Sequence, residues 1–176
     1  MQDAGKFPDG LAEENLHGGR IFARHASPLS VVVLGALLVL ALLDVAGGHP
    51  STPVKRDFGD AALTVDTPRT LRNGEFFETR IEVHARTDIA DAVIAVTPDL
   101  WRDTTINTTL PSPAGERFEK GMLRWSYGPI KAGDTLHVKI DGQINPPLFA
   151  GTSGRILLYD GDRRLGQLPL SIRVFP

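Results

Sequence analysis

Phe77-Glu78-Thr79-Arg80-Ile81-Glu82-Val83-His84-Ala85-Arg86 decides the fold. Its odd positions are apolar or neutral. Its even positions are Glu, Arg, Glu, His and Arg. Successive side chains of a strand point to opposite faces. Phe77, Ile81 and Val83 therefore face a core, and the charged set faces water. That is an antiparallel strand with one buried face.

Working outward, the same period recurs on both sides. Upstream, Asn73-Gly74 marks a turn, and Leu63 and Val65 alternate over a short strand ending near Pro68. Downstream, Ala90 to Val96 is a more continuous apolar run, closed by Thr97-Pro98-Asp99. Thr104 to Leu110 is Thr-rich and β-prone; Pro111, Pro113 and Gly115 end it. Met122 to Tyr127 sets Leu123 and Trp125 on one face, Arg124 and Ser126 on the other. The turn Lys131-Ala132-Gly133-Asp134 leads into Thr135 to Ile144, with Leu136, Val138 and Ile140 inward and His137, Lys139 and Asp141 outward. A closing hairpin runs from Arg155 to Tyr159, turns at Asp160-Gly161-Asp162, and returns over Leu165 to Phe175. Pro169 inside that last run predicts an edge or bulged strand. Seven to nine short strands separated by Gly, Pro and Asp turns, with no competing helical period, predict an all-β sandwich over residues 61–176.

Composition narrows the function classes. The chain of 176 residues carries 19 basic and 21 acidic side chains. Setting aside Lys6, Arg20 and Arg24, and Asp3, Asp9, Glu13, Glu14 and Asp44, leaves 16 of each sign from Ser51 onward. A neutral domain argues against nucleic acid, whose binders need a net basic face. With no cysteine in the chain, disulfides, thiolate metal sites and a cysteine nucleophile are excluded.

The order of features resembles bacterial immunoglobulin-like cell-surface repeats. Gly74 opens the long strand Phe77-x-Thr79-x-Ile81-x-Val83, and a strand with Val93 and Val96 follows. Leu123 and Trp125 supply a Leu-x-Trp strand, and Lys131-Ala132-Gly133-Asp134 turns into Leu136, Val138 and Ile140. The match covers about residues 62 to 145. It implies an Ig-like antiparallel β-sandwich and an envelope setting, and no catalytic residue.

Ahead of the domain lies Leu29 to Ala46, LSVVVLGALLVLALLDVA, uncharged until Asp44. A hydrocarbon core of about 30 Å needs roughly 20 helical residues. Residues 28–48 are expected as one transmembrane helix, with Pro28 in its first turn and Gly47-Gly48 and Pro50 at its stop. A cleaved signal peptide with Val45-Ala46-Gly47 as processing site is the rival reading; a 28-residue leader with four acids disfavours it. Arg20 and Arg24 before the run place the N-terminus in the cytoplasm. Residues 1–27 then form a largely disordered tail and 49–60 a Gly/Pro linker. Gly35, Ala36 and Ala41 are where a partner helix would approach.

Few residues invite chemistry. His84 and His137 lie on water-facing sides of strands expected in different sheets, too far apart for a shared metal. Asp160-Gly161-Asp162 is too short for a calcium loop. Asp99 and Asp103 flank Trp101 without a reason for perturbed acidity. Asn107-Thr108-Thr109 has the form of a glycosylation acceptor, read as chance. There is no nucleophile elbow, phosphate loop or dinucleotide fingerprint. No catalytic, cofactor or metal residue is therefore assigned, and the chain is not expected to be an enzyme. Two loops offer partner contacts instead: Trp101 with Arg102, and Leu148 with Phe149, because Trp and Arg are favoured anchors. The expected function is a membrane-anchored, extracytoplasmic binding or structural module, an accessory subunit of an envelope complex in the inner membrane. A periplasmic solute- or metal-binding domain is the alternative, and an envelope enzyme ranks last.

Overall fold

The computed structural model describes residues 20–43, 51–146, 148 and 150–176. The chain divides near residue 45 into a helical unit and a β unit.

The helical unit contains α1 (Arg20–Leu42), 23 residues long. It begins eight residues earlier than the period and caps imply, so Pro28 falls inside the helix rather than in its first turn. Proline there removes one backbone hydrogen bond. Among the described residues no helix is long and apolar enough to cross a membrane. The described helix ends at Leu42, while the apolar stretch of the sequence runs on toward Ala46. The expected span over 28–48 is therefore not carried by the described residues; 44–48, like the tail from 1 to 19, lie outside them. Residues 20–27, expected as disordered tail, are helical.

The β unit holds eleven strands: β1 (Val54–Asp57), β2 (Ala61–Asp66), β3 (Thr70–Arg72), β4 (Phe76–Ala85), β5 (Ala92–Val96), β6 (Thr104–Leu110), β7 (Gly115–Glu119), β8 (Met122–Ser126), β9 (Thr135–Ile144), β10 (Thr152–Asp160) and β11 (Arg163–Phe175). They form two sheets, ordered β1-β2-β4-β9-β6 and β3-β11-β10-β5-β8-β7. The count exceeds the expected seven to nine because β1, β3 and β7 are short and charged, with no alternation to reveal them. β1 also falls where a linker was expected. Every pairing is antiparallel except β3 with β11, which is parallel.

β4 follows the alternation quoted above. Phe77, Thr79, Ile81, Val83 and Ala85 are buried, while Arg80, Glu82 and His84 are exposed. The two sheets close on one core containing Leu63, Ile81, Val83, Ile94, Trp125, Ile140, Ile156 and Leu158, with Trp125 the largest buried side chain. Each fully buried aliphatic contributes about 1.5–3 kcal/mol, so the domain holds together without cross-links. A smaller cluster of Leu71, Phe77, Ile144, Leu148, Ile172 and Val174 forms a second core. The stretch of β11 before Arg173 has only β10 beside it, which gives Pro169 the free edge it requires.

The two outer faces differ in chemistry. On the five-stranded sheet, Lys139 Nζ lies 2.5 Å from Glu78 Oε2, Arg80 Nε 2.5 Å from Glu78 Oε1, and His137 Nδ1 3.3 Å from Glu82 Oε1. The Lys139 contact first, then Arg80, holds the Glu78 carboxyl below its ordinary range. His84 and His137 sit on this same face of adjacent strands, with Glu82 opposite His137 and Thr135 opposite His84. The expectation of separate sheets is thus corrected, because β4 pairs directly with β9. His84 bonds Thr135 Oγ1 at 3.0 Å, and no group of three ligand-type side chains occurs among the described residues.

The six-stranded sheet instead buries Val93, Ala95, Leu157 and Tyr159 on its outer face. Arg124, 2% exposed, lies over the Tyr159 ring with its guanidinium 4.6 Å from the ring centre. Its amino groups reach Glu119 at 3.2 Å and the Gly161 carbonyl at 2.9 Å. β5 is therefore buried on both sides, which is why its sequence is a continuous apolar run.

Candidate binding cleft at the Trp101 loop

The crossover from β5 to β6, residues 97–103, passes from the six-stranded to the five-stranded sheet and closes one end of the sandwich. It is tied down along its length. Thr97 N donates to the Arg155 carbonyl at 3.1 Å, and Arg155 N donates to Thr97 Oγ1 at 2.9 Å. The Thr152 hydroxyl donates to the Leu100 carbonyl at 2.7 Å, and Asn145 N donates to the Asp103 carbonyl at 2.8 Å. Leu100 is buried in the main core at 1% exposure. Trp101 packs beside it, its ring 5.5 Å from that of Trp125 at 49°.

Close approach sets two glycines. At Gly151, φ is +104° and an added Cβ would run into the Ile172 carbonyl. At Gly154 a Cβ would lie 2.7 Å from Leu100 Cβ, so glycine is what lets the crossover seat on β10.

Two adjoining clefts open around this loop. One, of about 420 Å³, is lined by Asp99, Arg102, Ser153, Ser171 and Arg173 among others. Its neighbour, of about 470 Å³, shares Asp99 and Ser153 and adds Thr97, Arg155 and Pro169. Arg102, Arg155 and Arg173 are all exposed. Arg102 has only a 3.7 Å contact to Asp103, and Arg155 and Arg173 make no ion pair among the described residues. Three cations, one carboxylate and two serine hydroxyls on a concave surface suit carboxylate or other anionic groups. The walls are backbone-anchored strands, so the cleft is preformed.

The residues singled out from sequence divide here. Arg102 lines the cleft. Trp101 is half-buried against the core, so it supports the loop more than it presents a ring. Leu148 is 2% exposed and belongs to the smaller core, which removes it as a partner contact. Phe149 lies outside the described residues. Gly35, Ala36 and Ala41 are exposed on α1, and a Cβ at Gly35 would meet open space. Arg155, Arg173, Ser153 and Ser171 were not singled out, because isolated polar residues within strands carry no periodic signal that marks a site.

No family model matches the chain, and no curated protein matches it. Similar solved structures include a FixG-related protein from Vibrio parahaemolyticus, at 10% identity and TM-score 0.39, covering 66% of this chain and 95% of that one. The major pilin subunit of Bacillus cereus gives 11% identity and TM-score 0.43 over 74% of this chain and 48% of that one. A non-cellulosomal cohesin from Archaeoglobus fulgidus gives 8% and 0.39 over 62% and 88%. These likenesses are of β-sandwich architecture and carry no ligand or partner to this chain.

Proposed function

We propose that the chain is a membrane-anchored binding module whose β-sandwich works outside the cytoplasm as an accessory subunit of an envelope complex. The observation that carries this is the exposure of α1. Its described Leu and Val side chains from Leu29 to Leu43 are between 47% and 72% exposed, on every side of the helix. A helix apolar all round needs cover from protein or lipid. Lipid supplies it without a second helix. Arg20 and Arg24 favour a cytoplasmic N-terminal side.

The cleft supplies the binding half. Its arginines fit acidic side chains of an extended segment of a partner protein. Alkaline carbonate extraction of membranes tests the anchor: the chain stays in the pellet, and release into the supernatant refutes it. Protease added outside intact spheroplasts should then remove the β-sandwich; full protection refutes the sidedness. Partner capture by crosslinking should fall at least tenfold in Arg102→Glu/Arg155→Glu/Arg173→Glu. Unchanged capture refutes the cleft as the contact.

A further inference from the structure

A sheet edge is a row of unpaired backbone groups, and natural proteins protect edges with charge, proline, brevity or a bulge. All free edges of this sandwich but one carry charge, proline or both. β1 carries Lys55, Arg56 and Asp57. β7 carries Glu116, Arg117 and Glu119. β3 is three residues long and carries Arg72, and the free stretch of β11 carries Arg163, Arg164 and Pro169. β6 reads Thr-Thr-Ile-Asn-Thr-Thr-Leu over seven residues, with no charge and no proline. It forms the outermost strand of its sheet beside β9.

β6 also has a bulge at Asn107, where the register to β9 shifts between Ile106 and Thr108. The bulge changes which residues share a face. Thr104, Ile106 and Thr109 stand opposite Ile144, Gly142 and Ile140, on the core side of the sheet. Thr105, Thr108 and Leu110 stand opposite Gln143, Asp141 and Lys139, on the outer side. Two antiparallel copies of β6 can pair only with like faces opposed. A register that does so sets Thr104 against Thr109 and Thr105 against Thr108, with Ile106 against the bulged Asn107 at the centre, each twice through the two-fold axis. Cross-strand Thr–Thr pairs are favourable. The other edges disfavour the same arrangement: centred self-pairing of β1 opposes Lys55 to Arg56, and that of β7 opposes Arg117 to itself.

We propose that β6 is a homodimerisation edge, through which two copies join their five-stranded sheets into one continuous sheet. The interface is isologous, as two-fold dimers require. A seven-residue edge is small for a free-standing dimer. Confinement of the chains to one surface would raise their effective concentration and favour the pair, a contribution that rests on the anchor reading. The register itself does not.

The chain contains no cysteine, so engineered thiols report cleanly. Directly opposed antiparallel residues are about 4.5–5.5 Å apart at Cα, within disulfide reach. The experiment uses the full chain, in membranes and in detergent micelles, oxidised with copper phenanthroline. Thr105→Cys/Thr108→Cys should give a covalent dimer in the majority of chains. Either single variant should give at least tenfold less, because each thiol then faces a threonine. Thr108→Lys should weaken the dimer at least tenfold in sedimentation equilibrium, with its thermal midpoint unchanged within about 2 °C. Equal crosslinking by single and double variants would mean random collision or a helix-driven dimer and would overturn the proposal. So would a monomer at all concentrations, or capture of a different protein at Thr108→Cys. Carbonate extraction is read separately, so a failed anchor and a failed edge are distinguishable.

Discussion

Replacing Gly154 by alanine asks whether the crossover is clamped to β10 as the geometry requires. The new Cβ would lie 2.7 Å from Leu100 Cβ and 2.8 Å from Leu100 N, and closer still to Thr97 Oγ1. The Thr97 Oγ1 contact could be relieved by a side-chain rotation. The two Leu100 contacts cannot, because Cβ and N move only with the backbone, and that backbone is bonded through its N–H to the Thr97 carbonyl at 3.1 Å and through its carbonyl to Thr152. Overpacking of this kind costs about 1–3 kcal/mol. Displacing Thr97 also weakens the Arg155 N–H bond, worth about 0.5–1.5 kcal/mol. Alanine returns about 0.4–1 kcal/mol through the unfolded chain. The balance is a loss of about 2.5 kcal/mol. At about 2.1 cal/mol/K per residue over roughly 120 residues, the entropy of unfolding is near 0.25 kcal/mol/K, so the midpoint falls by about 10 °C. Calorimetry of the full chain in detergent measures it. The double variant Thr97→Ala/Gly154→Ala should recover part of the loss and not all, since the Leu100 backbone still blocks the methyl. A drop under about 2 °C for Gly154→Ala would refute the clamp, and with it the preformed cleft.

Three further outcomes follow from buried or perturbed groups. Arg124→Ala uncovers the Tyr159 ring and should lower stability by about 2 kcal/mol in urea titrations, while Arg124→Met, which keeps the apolar stem, should restore most of it. Asp160 accepts from the backbone N–H groups of Asp91 and Ala90 and from Arg163, and its carboxyl is held below the ordinary value. Its stabilisation is complete above the unfolded value of about 3.9 and disappears as pH falls through the lower folded value, so Asp160→Asn should flatten that acid limb of a pH–stability curve. Burial, and then Glu116, push the Tyr127 phenol up to about 12. The folded state resists ionisation that the unfolded chain undergoes near pH 10, so stability should fall between pH 10 and 12. Tyr127→Phe should abolish that fall and be neutral or stabilising at pH 7, because the buried hydroxyl has no hydrogen-bond partner among the described residues.

Much of the architecture could be read from alternation. Eight of the eleven strands are legible, most from period two, β5 from its unbroken apolar run and β6 from its threonines, and period two also gives the inward sides of β4, β8 and β9. The three that escaped are short and charged, and exist because a neighbouring strand offers them a partner: β1 pairs Arg56 with Leu63, and β7 pairs Phe118 with Leu123. That is tertiary information. Arg124 shows a second limit. Alternation places it correctly on the outer face, yet outward does not mean wet when Tyr159 and Glu119 lie beside it. Only the unbroken run of β5 signals that this sheet buries residues on both sides. Trp101 was legible as either loop core or contact; its distance to Trp125 decides for support. The cleft was half legible. Arg102 sits in the loop that drew attention, whereas Arg155 and Arg173 come to it from strands distant in sequence.

The crossover joins the two surfaces proposed for binding. Asp99 and Arg102 line the cleft, and the strand that begins at Thr104 is the edge proposed for self-pairing. Asn145 spans the junction: its N–H holds the Asp103 carbonyl, and its side chain meets Thr105 Oγ1 at 2.9 Å. A loop fastened at Thr97, Leu100 and Asp103 has little freedom to give up when a ligand arrives. Coupling between two sites requires an element with two arrangements that both sites bias, and this crossover is held in one. A ligand in the cleft should therefore leave dimer affinity nearly unchanged, and pairing at β6 should leave the cleft as it is. The loop acts as a strut, setting the position of both surfaces without carrying a signal between them. Avidity, not allostery, is then what a second copy would add: two clefts held on one continuous sheet, able to engage a partner that presents its acidic segment twice.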